Sequence, residues 1–291
     1  MGTLEFRAIK IIPKGPFTEI PGSDTLFGAI GTAVATLFGR EAVEELVEGF
    51  KAGARISSAF PFEADTYYLP KPLTVELALD GILKDLPKDE RYIRMKTLRK
   101  VSYLDVENFE KALRLEPFGG ASELPYRIVD VPRVSLDRVT KNSSLYFWEE
   151  IRFKPGAGLY FLYSGSDGVF RDFILPAVRY LGDTGLGGKS TWGFGLFDVE
   201  ATVMRLNAPE SPYTVILSSA LPTKRPILWK LARKGGWSYG RRKPKLNFIA
   251  EGSVVENDPG RIEAIDLGLP HQVYVYGLTF PVPANVPEGL K

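Results

Sequence analysis

The chain has 291 residues, with no cysteine, one histidine and three methionines, and its 37 Lys and Arg against 35 Asp and Glu leave a formal net charge of +2. Without thiols and with a single imidazole, disulfides, thiolate or histidine-cluster metal sites, cysteine nucleophiles and iron–sulfur clusters are all excluded, so neither a metal nor a cofactor is expected. Hydrophobic residues at 44% and charged residues at 25% are the balance of a globular protein able to bury its own core, in one large domain or two ordinary ones.

The scarcity of Cys and Met fits a reducing and hot compartment. No basic-then-apolar leader is present, and the uncharged run between Asp24 and Arg40 is too short and too rich in glycine to span a bilayer. The expected location is the cytoplasm, with no membrane partner.

Residues 4–13 alternate in the manner of a strand. Pro21-Gly22 breaks the chain, and Ser23 or Asp24 starts a helix with apolar positions Phe27, Ile30, Val34, Leu37 and Phe38. Its other positions are small, which predicts close packing. An acidic helix follows, with Glu41, Glu44, Glu45 and Glu48 opposite Val43, Leu46, Val47 and Phe50, and then a strand over 55–62. Between 70 and 124 the pattern is irregular. Pro70 and Pro72 keep YLPKP out of regular ladders. IRMKTLRKVSYL, with Arg94, Lys96, Arg99 and Lys100 and no acid, reads as a protruding basic loop that grips nucleic acid or is merely solvated. VENFEKALRL reads as a helix. Strands are expected at 145–153, 158–163, 194–206, 213–217, 248–255 and 273–282, and a helix kinked at Pro176 over 168–181. The order predicts two related α+β units in tandem, 1–140 with an insertion at about 65–130, and 141–291.

Nine Lys and Arg fall between 224 and 245, and no acid occurs from 211 to 250. The remainder of the chain is therefore net negative. Trp229, Trp237, Tyr239 and Phe248 interleave with these charges, which is the footprint of a nucleic-acid-binding surface. The alternative is a solvated face, although acids normally intersperse such a surface.

Residues 182–197, GDTGLGGKSTWGFGLF, form a glycine-rich loop. Its GGKS ending resembles a nucleotide-binding P-loop, but the spacing requires glycine at 183, where Asp183 stands, and the loop follows a helix and opens a strand. A different role is open to it. Exposed amides hold phosphate oxygens, Lys189 adds a charge and Trp192 offers a ring for a base. A loop that merely crosses the sheet is the competing reading. His271, in LGLPHQVYVYG, reads as structural rather than as a general base.

Several segments in order resemble one family: SDTLFGAI (23–30), YLPKPL (68–73), KTLRKVSYL (96–104), PRVSLDRVTKNSSLYF (132–147), GLGGKSTWGFG (185–195) and GWSYGRRKPKLNFIAEGSV (236–254). They are similar to RAMP-superfamily subunits of CRISPR effector complexes, most nearly the fourth-subunit family of the type III-A Csm complex, which in turn resembles the Cas-five subunits that cap the 5′ end of crRNA. The resemblance implies an α+β fold of tandem ferredoxin-like, RRM-related domains with an inserted basic region. It implies a non-catalytic subunit that holds the repeat-derived 5′ tag of crRNA and docks a large polymerase/nuclease (Cas-ten type) subunit and a neighbouring RAMP backbone subunit. Together with the charge pattern it nominates Lys71, Arg99, Lys100, Asp137, Arg138, Gly185, Gly187, Gly188, Lys189, Ser190, Trp192, Arg241, Arg242 and Lys243 as RNA contacts. The equivalent type III-B (Cmr) subunit is the nearest alternative. A crRNA-processing endoribonuclease of the same superfamily needs an acid–base pair, often near the first helix, where only Ser23 and Asp24 occur before Arg40. A pure protein scaffold leaves the basic–aromatic run unexplained.

Overall fold

The computed structural model describes residues 2–84, 86–119 and 123–290. Gly2–Pro13 is strand β1, which buries Phe6 and Ala8 on one face and Ile9 and Ile11 on the other. Helices α1 (Ser23–Phe38) and α2 (Arg40–Lys51) follow, with Glu41, Glu44, Glu45 and Glu48 exposed and Leu46, Val47 and Phe50 buried. Short strands β2 (Arg55–Ile56), β3 (Phe60–Glu63) and β4 (Thr66–Pro70) lead to helices α3 (Thr74–Ile82) and α4 (Lys88–Lys100). Strand β5 (Tyr103–Asp105), helix α5 (Val106–Arg114) and the long strands β6 (Tyr126–Leu136) and β7 (Ser143–Phe153) come next. They are followed by β8 (Ala157–Ser164), a helical stretch of α6 (Asp167–Val169), a π-turn (Phe170–Ile174) and α7 (Leu175–Thr184), and then β9 (Phe197–Ala208). The remainder is β10 (Tyr213–Ile216), β11 (Leu231–Ser238), β12 (Arg241–Ile249), β13 (Val254–Glu256), β14 (Glu263–Ile265), β15 (Val273–Val275) and β16 (Pro281–Pro283). No helix among the described residues is long and apolar enough to cross a membrane.

One antiparallel sheet organises the molecule, in the order β5-β4-β3-β8-β1-β9, with β2 beside β8. β1 pairs with β9 from Gly2 opposite Ala208 to Pro13 opposite Phe197. Both faces are covered. Ile9, Ile11, Leu159 and Phe161 meet α1, α2 and α7 on one side, and Phe6, Ala8, Tyr160, Leu162 and Leu206 meet α3, α5 and the β10–β16 strands on the other. Burial on two faces explains why the central strand β8 is a nearly continuous apolar run.

The fold differs from the sequence expectation in its division into units, at Pro70, at the basic segment and at Pro176. The anticipated boundary at 140/141 lies in the turn between β6 and β7, which pair from Tyr126 opposite Phe153 to Leu136 opposite Ser143. β8, α7 and β9, assigned to a second unit, complete the sheet begun by β1, and residues 209–290 hold no α-helix. The reason is the β1–β9 pairing: distant segments meet in space, and element order alone does not show which edge they join. Pro70 does not exclude its segment from a ladder, since Tyr68, Leu69 and Pro70 pair with Asp105, Leu104 and Tyr103; a proline at a strand end forfeits little. The basic "loop" of Arg94–Lys100 is the second half of α4. Asp89 and Glu90 in its first turn and Arg99 and Lys100 in its last complement the helix dipole. Finally, Pro176 follows directly on the π-turn inside a helical run that is continuous from Asp167 to Thr184, so the irregularity expected at the proline is taken up as that π-turn.

Candidate nucleic-acid interface

The glycine-rich loop leaves α7 and returns to β9 across the end of β1. It is tied down by backbone hydrogen bonds from Leu186 to the Gly195 carbonyl (2.9 Å) and from Gly195 to the Pro16 carbonyl (3.0 Å). Gly195 has φ +70°, and a Cβ there would fall on the backbone of Leu186. Gly195→Ala is therefore expected to cost at least about 2 kcal/mol, read as a lower urea midpoint; an unchanged midpoint would show that the loop relaxes freely. Gly187 and Gly188 are different. They are exposed, and their amides donate to no backbone carbonyl among the described residues, so they are available to an anion.

Lys189 holds a left-handed conformation (φ 62°), unusual for a residue with a side chain. That geometry sets its ammonium 3.3 Å from the centroid of Trp148, on β7. Arg133, on β6, lies over the same ring at 5.2 Å. Trp192 meets Trp148 edge to face at 5.0 Å and is 65% exposed. Tyr146 and Phe194 complete the aromatic group, at 5.9 and 6.3 Å from Trp148. Two cations and a largely free indole thus share one surface midway along the β6–β7 hairpin. Arg133 is aimed by Glu150, whose side chain is 2% exposed and which also takes Arg152 at 2.9 Å. The Nε of Arg133 is buried with no partner.

Gly185, Gly187, Gly188, Lys189, Ser190 and Trp192 are contiguous in the sequence, and the structure keeps them together. Trp148, Arg133 and Glu150 join them only in the fold. Their signal was present as strict alternation along two strands, since Tyr146, Trp148, Glu150 and Arg152 share a face with Arg133, but only the strand register shows that this face meets the loop.

The other nominated residues do not join this cluster. Lys71 is buried, and its ammonium donates to the carbonyls of Leu98 (2.8 Å) and Arg99 (3.2 Å) and pairs with Glu76 at 3.1 Å. It caps the C-terminal end of α4 and has no charge to spare for a phosphate, so its role is structural. Asp137 is the corner of the β6–β7 turn. Its carboxylate accepts from the Thr140 hydroxyl (2.7 Å) and from the Val139 amide (2.8 Å), which hold it below the ordinary carboxylate range. Arg138 beside it is exposed, as are Arg99 and Lys100 at the end of α4.

Six of the nine cations in the basic run lie on the β11–β12 hairpin. Tyr239 and Gly240 at its tip both have positive φ (45° and 75°), the two-residue turn that matches strand twist. Arg242 pairs across from Trp237, which is 70% exposed, and Arg241 from Ser238. Lys234 turns inward instead. It pairs with Asp24 at 2.7 Å and donates to Ser219 at 2.6 Å, and Ser219 in turn donates to Glu251. Lys243 lies half-buried near Lys234, and both line a small cleft with Asp24. His271 packs against Tyr239 at 5.0 Å between ring centroids.

The RAMP superfamily model matches residues 6–198, a span that runs from β1 through the glycine-rich loop to the start of the edge strand β9 and sets the class of the protein. The Csm4 protein of the CRISPR system of Thermococcus onnurineus (strain NA1) is 64% identical over 287 residues, covering 99% of both chains. The chain belongs to the RAMP superfamily and, within it, to the Csm4 family. A chain of the Csm1–Csm4 cassette crystallised with cA4 matches with a TM-score of 0.85 at 55% identity, covering 98% of this chain and 100% of that one. A chain of the Csm3–Csm4 subcomplex of a type III-A CRISPR-Cas interference complex has the same fold, with a TM-score of 0.64 at 20% identity over 97% of this chain and 100% of that one.

Proposed function

We propose that this chain is the non-catalytic subunit of a type III-A Csm complex that holds the repeat-derived 5′ tag of crRNA in the cytoplasm, docks the large Csm1-type (polymerase/nuclease) subunit and adjoins a Csm3-type backbone subunit. The single observation that carries the RNA reading is the surface made by Lys189, Arg133 and Trp192 around Trp148. Free amides and two cations suit phosphates, and a 65% exposed indole suits a stacked base. Identity of 64% to a Csm4 protein favours type III-A over the Cmr alternative. The exposed glutamates of α2 offer a charged face to a basic partner.

The non-catalytic reading is supported by what occupies the first-helix region. Asp24 is paired with Lys234, and the Ser23 hydroxyl donates to the Ser219 carbonyl, so neither is poised over an open substrate groove. We read the sheet of β1, β3, β8 and β9 with α1 and α7 as one ferredoxin-like unit, in the order β9-β1-β8-β3, interrupted by residues 64–156. Residues 209–290 then form a β-rich second unit. The reading is tested by co-purification from the native host: small RNAs sharing one repeat-derived 5′ end, with a large partner subunit, are expected, and random RNA or specific cleavage of repeat RNA by the chain alone would overturn it.

The β11–β12 hairpin is assigned a supporting role in gripping RNA or a partner. Arg241→Glu with Arg242→Glu is expected to lower the salt slope of RNA binding by about 0.7 per lost phosphate contact or to block assembly, without lowering the melting temperature. Normal assembly with an unchanged slope would make the hairpin a solvated face.

A further inference from the structure

Pro16, which accepts the hydrogen bond from Gly195, belongs to one wall of a second cleft, of about 570 Å³. Its other walls are the end of the sheet and the β7–β8 turn. Four cations line it, Lys10, Lys14, Arg152 and Lys154, against one carboxylate, Glu200. Lys10 has no carboxylate partner among the described residues. Its ammonium lies 4.8 Å from the ring centroid of Phe62 and 5.2 Å from that of Tyr67. Lys14 pairs with Asp198 at 2.6 Å and Lys154 with Glu123 at 3.2 Å, but those carboxylates are 65% and 87% exposed. Exposed pairs of this kind contribute at most about 1 kcal/mol, so both lysines are free to turn to a stronger anion.

Arg152 is held differently. It shares the buried carboxylate of Glu150 with Arg133, so one buried charge directs one arginine to Trp148 and the other to this cleft. The two basic surfaces are therefore linked twice, through Glu150 and through the Pro16–Gly195 hydrogen bond. The cleft's volume lies within the range of sites for small ligands, roughly 300–1,000 Å³. A cluster of cations with little opposing acid, at the end of an antiparallel sheet, also suits the phosphate of such a ligand.

We propose that this cleft binds a phosphate-bearing nucleotide unit, as a second seat beside the glycine-rich loop. The proposal rests on the RNA reading above for the source of that nucleotide, a single strand crossing from the loop. A free mononucleotide presents the same chemistry.

The test uses the full chain, its Lys10→Gln/Lys154→Gln variant and its Trp192→Ala variant. Arg152 is left intact, because its removal would strip Glu150 of a partner. A labelled single-stranded RNA is titrated over a series of salt concentrations, AMP is titrated by calorimetry, and melting temperatures verify the folds. The double variant is expected to lower the salt slope for RNA by about 1.4, two contacts at about 0.7 each, with its melting temperature kept, whereas Trp192→Ala lowers affinity at an unchanged slope. AMP bound by the wild type and lost in the double variant, with no RNA bound by any form, would support the cleft with a free nucleotide as its source and overturn the strand reading. An unchanged slope and unchanged AMP binding in the double variant would overturn the cleft, and a loss confined to Trp192→Ala would leave the loop reading standing without it.

Discussion

Trp192→Ala is expected to weaken single-stranded RNA binding by about 1–3 kcal/mol, roughly five- to 150-fold, the value of one stacked base. Stability should stay within about 0.5 kcal/mol, as for surface substitutions generally, because Trp192 is 65% exposed and meets Trp148 in a single T-shaped contact. The contrast with Trp148 makes this informative. Trp148 is half-buried and carries Lys189 on its face, so its loss should lower both affinity and melting temperature. Affinity is measured by fluorescence anisotropy and stability by thermal melting. A Trp192→Ala protein that melts early and binds RNA normally would make the indole a packing residue and remove the stacking contact.

Tyr276→Ala is expected to destabilise the whole chain by about 3–5 kcal/mol, the range for emptying a large aromatic site. Tyr276 is fully buried after β15, stacked on Phe27 of α1 at 5.2 Å and edge-on to Phe50 of α2 at 5.6 Å. Its hydroxyl accepts from the Ile56 amide at 3.0 Å and donates to the Ile56 carbonyl at 3.1 Å. Burial pushes the phenol well above its ordinary range, so it stays protonated and both bonds persist across working pH. One residue of the C-terminal strands thus completes the core beneath the first two helices. Far-ultraviolet circular dichroism and tryptophan fluorescence should report one shared, lowered midpoint. Two separated transitions, with only the C-terminal strands lost early, would show that residues 209–290 fold apart from the sheet.

Much of this architecture was legible in the sequence. β1, α1, α2, α5, β8 and β9 follow from local periodicity, since each has an apolar pattern that only one element type satisfies. The glycine-rich loop was legible because its glycines, lysine and tryptophan are contiguous. What failed is non-local. The β1–β9 pairing sets strands nearly two hundred residues apart in the chain side by side at one edge of the sheet, and no local pattern in either strand names the other as partner. The β11–β12 hairpin was hidden because its tip, Tyr239-Gly240, substitutes a tyrosine in a left-handed position where asparagine is the familiar signal. Lys71 misled for a related reason: a lysine between prolines reads as exposed, and only the fold brings the end of α4 onto its ammonium. Trp148 escaped because an aromatic in an alternating strand is ordinarily core, and its contact with Lys189 depends on where two separate segments meet.

The proposed seat of the RNA is where the glycine-rich loop meets the middle of the β6–β7 hairpin. Ultraviolet cross-linking of crRNA in the assembled complex, followed by mass spectrometry of the conjugated peptides, tests it most directly. Conjugates from the 5′ tag on peptides spanning 144–152 and 185–195 are the expected result. Tag conjugates confined to other peptides, with those two segments unmodified, would contradict it.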